Sequence, residues 1–302
     1  MGRAAAQAEG RGVSEGIGHR FDQPLAGGET ARFFQLPAAE AVECLVARFH
    51  THAYAPHTHD DYVIGAVVAG RELFKVGREA GAAAPGDLFM IEPGLVHDGA
   101  PGPQGYVYRM TYPSPGLLQA MASEVAERAM SAPRFARPLV HDPELAARLA
   151  ALHEAGAAGA DRLAVDQAML SVMGAIIARH GDGGTPVAAA LARAPGGEAQ
   201  AIARALDHID AHFADAIDLA TLAGVAGLPR VRLIRAMRRQ TGLTPHAHLI
   251  DRRVREARRL LARGTAPAEA ALACGFCDQS HLNRAFKARI GVTPGQFGRA
   301  RA

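Results

Sequence analysis

Nowhere in its 302 residues does this chain contain the roughly 18 consecutive apolar residues that a helix needs to cross a bilayer. Its first residues lack the basic-then-apolar pattern of a secretory signal, so neither a membrane partner nor export is expected. Cysteine is scarce. Cys44, Cys274 and Cys277 are too few to staple a chain of this size, which argues against a disulfide scaffold and fits the reducing cytoplasm. Cys274 and Cys277 make a single Cys-x-x-Cys. With no second pair it lacks the four ligands of a structural zinc, and it is expected to serve a turn.

What is present is ordinary in bulk and uneven in detail. The composition is 49% hydrophobic and 21% charged, as in a globular protein, and the length suits two or three domains. The net charge of +3 conceals an asymmetry: residues 198–302 hold 17 Lys and Arg against 9 Asp and Glu, and the rest of the chain 16 against 21. A basic third joined to an acidic remainder points to one part that meets a polyanion and another that does not.

Along the chain, residues 1–29 read as a disordered tail. Residues 30–112 read as β, with short apolar runs at Val42–Phe49, Tyr62–Val68, Glu72–Val76, Asp87–Ile91 and Tyr106–Tyr112 broken by Gly and Pro, the pattern of a sandwich or barrel. Residues 113–180 turn helical: Leu117, Leu118, Met121 and Val125 keep helical spacing, as do Leu145, Leu149 and Leu152. A further helix over Leu163–Arg179 carries a stripe of Val165, Met169, Val172, Met173, Ile176 and Ile177, which needs either the β-domain or a second copy of the chain as its partner. Residues 181–197 read as a flexible linker. From 198 to 302 the pattern is helical again.

That last region contains a weak internal repeat. Thr241-Gly242-Leu243-Thr244-Pro245 recurs as Ile290-Gly291-Val292-Thr293-Pro294, 49 residues on, and the same offset carries Leu233 to Leu282, Arg235 to Arg284 and Met237 to Phe286. Ahead of each copy lies a short Ala-rich helix ending in Gly, at Leu219–Gly227 and Ala268–Gly275. Each copy therefore reads helix, glycine turn, helix, the plan in which a second helix enters the DNA major groove. With Leu233 and Met237 inward, Arg230, Val231, Ile234, Arg235 and Arg238 lie toward other faces of the first such helix. With Leu282 and Phe286 inward, Gln279, Ser280, Asn283, Arg284 and Lys287 lie outside on the second. Gln, Asn and Arg suit base edges because each makes two hydrogen bonds at once, and Lys and Arg suit phosphates. Between the copies Ala247–Leu261 reads as a spacer helix, with Leu249, Ile250, Val254, Ala257 and Leu261 as its core stripe and five arginines at 252, 253, 255, 258 and 259.

Residues 203–297 resemble the AraC-type DNA-binding domain. The match is carried by Ala223-x-x-x-Gly227-Leu228, Leu233-x-Arg235-x-Met237-Arg238, Gly242-x-Thr244-Pro245, Arg253-x-x-x-Ala257-x-x-Leu260-Leu261, Ala273-x-Gly275-Phe276-x-Asp278-Gln279-Ser280-x-Leu282-x-Arg284-x-Phe286-Lys287 and Gly291-x-Thr293-Pro294-x-x-Phe297. The first half departs from the pattern: Pro229 stands where a capping Ser is common and Met237 where Phe is. The resemblance implies that Val231, Ile234 and Arg235, with Gln279, Ser280, Asn283 and Arg284, read bases. Two apolar residues in the first set imply contacts to thymine methyls or weak specificity there. It also implies double-stranded DNA, a small-molecule effector, RNA polymerase and a second copy of the chain as partners.

The β-region resembles the cupin-type sensor domains that precede such units, on the strength of His57-Thr58-His59, Gly86-Asp87 and Pro93-Gly94-Leu95-Val96-His97. The expected fold is therefore α+β and multidomain, a jelly-roll-like barrel with a helical segment, followed by an all-α double helix-turn-helix. Enzymatic cupins hold a metal with a His-x-His, a Glu and a later His. Here Val63 and Ile64 occupy the spacing of the Glu. His57, His59 and His97 remain candidates for a divalent ion, and equally for a structural role in the barrel mouth or for effector contact. Tyr62, Tyr108 and Arg109 are also candidates for effector contact, Arg109 either as a clamp for a carboxylate or as an ordinary surface arginine. The alternatives to a ligand-responsive regulator are a metal-dependent cupin enzyme with an appended nucleic-acid domain, against which stand the missing Glu and the lack of a clear acid–base pair, and a barrel that only dimerises.

Overall fold

A computed structural model of the chain describes residues 27–37, 40–182, 184–192, 198–290 and 292–299. The first half is a sheet of antiparallel strands: β1 (Thr30–Leu36), β2 (Val42–Phe49), β3 (Tyr54–His57), β4 (Val63–Val76), β5 (Glu79–Ala83), β6 (Asp87–Ile91) and β7 (His97–Tyr112). After helix α1 (Pro115–Ala126) come the short strands β8 (Arg134–Phe135) and β9 (Leu139–His141). The order across the sheet is β1-β2-β7-β4-β6-β9, with β3 also on β7 and β5 on β4.

Strict alternation gives the sheet two apolar faces. On β6, Leu88 and Met90 face the helices while Phe89 and Ile91 face the barrel interior with Leu45, Phe49, Val63, Tyr106 and Met110. The two runs expected at Tyr62–Val68 and Glu72–Val76 are one strand, β4, broken by register shifts against β7 between Val67 and Ala69 and again between Gly70 and Glu72. Odd positions (Val63, Val67) point inward before the shift and even positions (Phe74, Val76) after it. Gly70 has φ +72°, and a Cβ there would lie 2.0 Å from the Gly105 carbonyl oxygen, so only glycine fits the crossing of β4 and β7.

Three helices cover the sheet's outer face and extend it. They are α1, α2 (Pro143–Ala157) and α3 (Arg162–His180), capped where Ser114 and Asp142 accept backbone N–H bonds from Leu117 and Leu145 at the first two. The apolar stripe of α3 is consumed within the chain: Val165, Met169, Val172, Met173, Ile176 and Ile177 all belong to one core with α1, α2 and the helices that follow. The expected linker is largely ordered. Gly181–Asp182 form β10 against β8, and Thr185–Ala192 form α4, which buries Val187 and Ala190. Its alanines allow the close helix packing that a Gly-rich reading overlooks; residues 193–197 lie outside the described residues. The expected tail also has one fixed point. Glu29 accepts N–H bonds from His50, Thr51 and His52 at 2.6, 2.6 and 3.0 Å, which pins the start of β1 to the β2–β3 turn. Residues 1–26 lie outside the described residues.

The second half is helical: α5 (Ala199–His212), α6 (Leu219–Ala226), α7 (Arg230–Thr241), α8 (Pro245–Ala262), α9 (Pro267–Ala273), α10 (Gln279–Ile290) and α11 (Pro294–Arg299).

Candidate functional site

The two repeats are two helix-turn-helix units. In the first, α6 ends on Gly227 at φ +68° and α7 follows Pro229; in the second, α9 gives way to Gly275 at φ +76° before α10. Both glycines occupy the left-handed region that closes a helix C-terminus and turns the chain. Leu233 and Met237 on α7, and Leu282 and Phe286 on α10, are fully buried as their spacing predicts. Pro229 leaves α7 without a side-chain cap, whereas Asp278 receives the N–H of His281 at 2.6 Å in the first turn of α10.

The faces left over differ. On α10, Gln279, Ser280, Arg284 and Lys287 are exposed and Asn283 is half-buried. They form one polar strip at the helix N-terminus and along its outer side, with the donors and acceptors that base edges and phosphates require. On α7 most of the corresponding residues are engaged within the chain. The Arg230 guanidinium and its backbone N–H donate to Glu124 on α1, and the two side chains are about four-fifths buried. That carboxylate holds the Arg230 pKa above its ordinary value. Arg232 pairs with Glu198 at 2.8 Å, and Arg235 donates to the Ala190 carbonyl at 2.7 Å, at the negative end of α4. Val231 and Ile234 are half-buried against the core that α1, α3 and α4 share with the first unit. Arg238 is exposed.

The spacer α8 buries its apolar stripe as expected, and buries more besides. Leu249, Ile250, Val254, Ala257 and Leu261 are core, and so is one of the five arginines. Arg253 is 1% exposed, donates to the carbonyls of Phe213 and Asp215 at 2.7 and 2.9 Å, and pairs with Asp161 at the start of α3 at 3.2 Å. Cys274 is buried under α8, which agrees with a turn-packing role for this cysteine.

The barrel holds a cavity of about 50 Å³ lined by His57, His59, His97, Tyr54, Glu72, Asp98, Tyr108 and Tyr112 over an apolar floor that includes Leu45, Phe89 and Met110. A second cavity of about 250 Å³ shares His59 and Tyr112 with it and adds Glu40, Glu43, Asp60 and Asp61. The three histidines come together: one ring nitrogen from each lies within 4.8 Å of the others. The carbonyls of Ala55 and Leu95 accept from Nδ1 of His57 and His97 at 2.8 and 2.9 Å, which places a proton on Nδ1, so that the neutral ring has its lone pair on Nε2.

Of the other candidate effector contacts, Tyr108 lines the cavity and two residues do not. Arg109 points the opposite way from Tyr108 and Met110 and pairs with Glu154 on α2 at 3.0 Å, because adjacent strand residues face opposite sides. Tyr62 lies in the core beneath the helices, its hydroxyl donating to the Pro133 carbonyl at 2.6 Å. A functional candidate that sequence reading passed over is Glu72. It is 6% exposed, lines the cavity, and its Oε2 has no hydrogen-bond partner among the described residues; burial pushes its carboxyl up to about 8. The available signal was an acid in the inward series Glu72, Phe74, Val76.

Residues 41–173 match the AraC-like ligand binding domain family, and residues 222–300 match a helix-turn-helix domain family. An uncharacterised HTH-type transcriptional regulator of Bacillus subtilis, YbfI, is 26% identical over 75% of this chain and 80% of its own length. The transcriptional activator RhaS of Escherichia coli is 33% identical over 28% of this chain and 31% of its own. Among solved structures, the DNA-binding domain of AdpA in complex with a target DNA is 32% identical, covering 36% of this chain and 93% of that one with a TM-score of 0.30. YbfI and RhaS are named as transcriptional regulators, which does not favour the enzyme reading. With a ligand-binding domain over its β-half and a helix-turn-helix domain over its basic third, the chain belongs to the AraC-type transcriptional regulators.

Proposed function

We propose that the chain acts in the cytoplasm as a homodimer whose barrel cavity binds the effector, and that binding changes how firmly the first helix-turn-helix unit is held by α1 and α4. Released, α7 joins α10 on successive major-groove segments along one face of double-stranded DNA, with RNA polymerase as the recipient of the output. The observation that carries this reading is the Arg230–Glu124 pair, which ties a candidate DNA-binding residue at the start of α7 to the helix that follows the barrel. An effector moves such an equilibrium only by binding the two arrangements with different affinity. Because the α3 stripe is buried within the chain, the dimer is built on another surface.

Selection of random-sequence DNA by the full chain at physiological salt tests the reading. The expected product is a motif with two short half-elements about one helical turn apart. No enriched motif from folded protein, with the Arg230–Glu124 pair intact or broken by substitution, overturns it.

The histidine cluster fits a divalent ion. Its three imidazoles converge, and the carbonyls behind His57 and His97 orient two of them in the way ligating histidines are oriented. In the effector-free chain His57, His59 and His97 would hold the ion, which would supply positive charge beside the acidic groups of the cavity and give way to the effector. Metal analysis of purified protein checks this: the expectation is one ion per chain, lost in His97→Ala.

A further inference from the structure

The cavities of the barrel are lopsided in charge. Glu72 and Asp98 line the inner one, and Glu40, Glu43, Asp60 and Asp61 the outer; among the described residues lining either there is no Lys or Arg. Such a funnel concentrates cations and repels anions. At its inner end Glu72 is built in, not left over. Its Oε1 lies where a Cβ on residue 99 would come within 2.5 Å, so the glycine at 99 leaves room for the carboxyl. Two and four positions along the same strand, Phe74 and Val76 fill the interior with apolar groups. A carboxyl in their place, with one oxygen unpartnered among the described residues, costs stability unless something meets it. Around it Tyr54, Tyr108 and Tyr112 line the same cavity. Tyrosine faces attract cations, and most strongly where water is excluded.

We propose that the effector is a small organic cation, a primary amine whose ammonium group enters the barrel and donates to Glu72 among the rings of Tyr54, Tyr108 and Tyr112. The inner cavity has room for roughly four water-sized groups, which suits an aminoalkyl end, and the outer cavity takes the remainder of the molecule. The inference rests on reading the barrel as the effector site. Burial keeps the Glu72 carboxyl protonated near neutral pH, so forming the ion pair sends that proton to solvent while the amine keeps its own.

The test is a titration of the full chain with primary amines from ethylamine to hexylamine and with 2-phenylethylamine, each beside the alcohol and the carboxylate of the same skeleton. Calorimetry near pH 7 in two buffers of different ionisation heat reads binding and proton release together. The expected result is binding by one or more amines with release of a proton, no comparable binding by the alcohols or carboxylates, and about tenfold or greater weakening in Glu72→Gln. Gly99→Ala, which displaces the carboxyl without removing it, is expected to weaken the same amines. Alcohols that bind as tightly as the amines, an unchanged affinity in Glu72→Gln, or no amine bound up to millimolar concentration overturns the proposal. Repeating the titration with the selected DNA present separates the two readings. Amine binding without an effect on DNA supports the ligand class and removes the sensor role, whereas a DNA response to a carboxylate alone overturns the ligand class and leaves the sensor standing.

Discussion

The two helix-turn-helix units share a plan and differ in what they are packed against. The first has no core of its own. Leu219, Leu222, Leu233 and Met237 lie in one continuous cluster with Leu118, Met173 and Val187 of the preceding half. The second closes a separate core of Ala270, Cys274, Phe276, Leu282 and Phe286 against α8. The recognition strip of α10 is open to solvent while that of α7 is held by Glu124, by the Ala190 carbonyl and by the shared core. A duplicated motif thus sits in two environments: one copy presents its polar face to solvent, and the other holds the corresponding face against the rest of the chain.

The largest effects should come from cutting each core at the same repeat position. Leu233 and Leu282 are both fully buried, so each Leu→Ala leaves a cavity costing about 2–5 kcal/mol. If the comparison holds, Leu233→Ala lowers hydrogen-exchange protection in α1, α3 and α7 together, whereas Leu282→Ala lowers it in α9 and α10 and spares the barrel. Loss of protection throughout the chain in both variants would show one cooperative core and break the distinction.

Next in size are changes on the reading faces. Arg284→Ala should weaken specific binding by roughly 1–3 kcal/mol and relax one base preference. An unchanged affinity and motif in the selection assay would remove Arg284 from the reading surface. Glu124→Gln acts in the opposite sense. It removes the carboxylate that holds Arg230, so the affinity for a two-element site should rise severalfold, while binding to the half-element read by α10 stays the same. Equal or weaker binding to the full site would mean that the docked arrangement is the one that meets DNA.

This division was only partly legible in the sequence. The repeat was, because Gly227 and Gly275 mark turns that need positive φ and because Leu233, Met237, Leu282 and Phe286 keep helical spacing. The members of the histidine cluster were as well, from the His-x-His spacing and a later His, although β3 ends at His57 and it is the pairing of His57 with His97 that brings the strands' histidines together. The ties on α7 were not: Arg230 and Glu124 stand 106 residues apart, and nothing local to either names the other. Arg109 was misplaced for a related reason. Its chemistry suits an anion, but a one-residue step along β7 decides between cavity and helix, and composition does not fix that step. Glu72 was missed because a bulge reverses the inward parity of β4 between Val67 and Phe74.

The smallest expected effect tests the hinge between the two units. Asp161, at the start of α3, faces Arg253 and His246 of α8, the helix that carries the second unit on the first. Burial by itself would raise the Asp161 pKa; the neighbouring His246 imidazole, 3.8 Å away, and the charge of Arg253 more than offset this and hold it below its ordinary value of 3.8. A carboxyl depressed by folding stabilises the protein above its unfolded pKa, and that contribution is lost as pH falls through the folded one. Asp161→Asn should therefore cost about 1–2 kcal/mol at neutral pH, since it leaves the Arg253 guanidinium buried without its counter-charge, and the difference from wild type should shrink on titration into acid. Thermal unfolding from neutral pH down to pH about 3 reads this directly. If Asp161 secures α8 to α3, the same variant also loosens the exchange protection of α8 at Arg253 before that of α10, so the second unit stays folded on a weaker hinge. A gap between the two proteins that persists undiminished in acid would assign the loss to packing around residue 161, and the ion pair would then have no part in holding the units together.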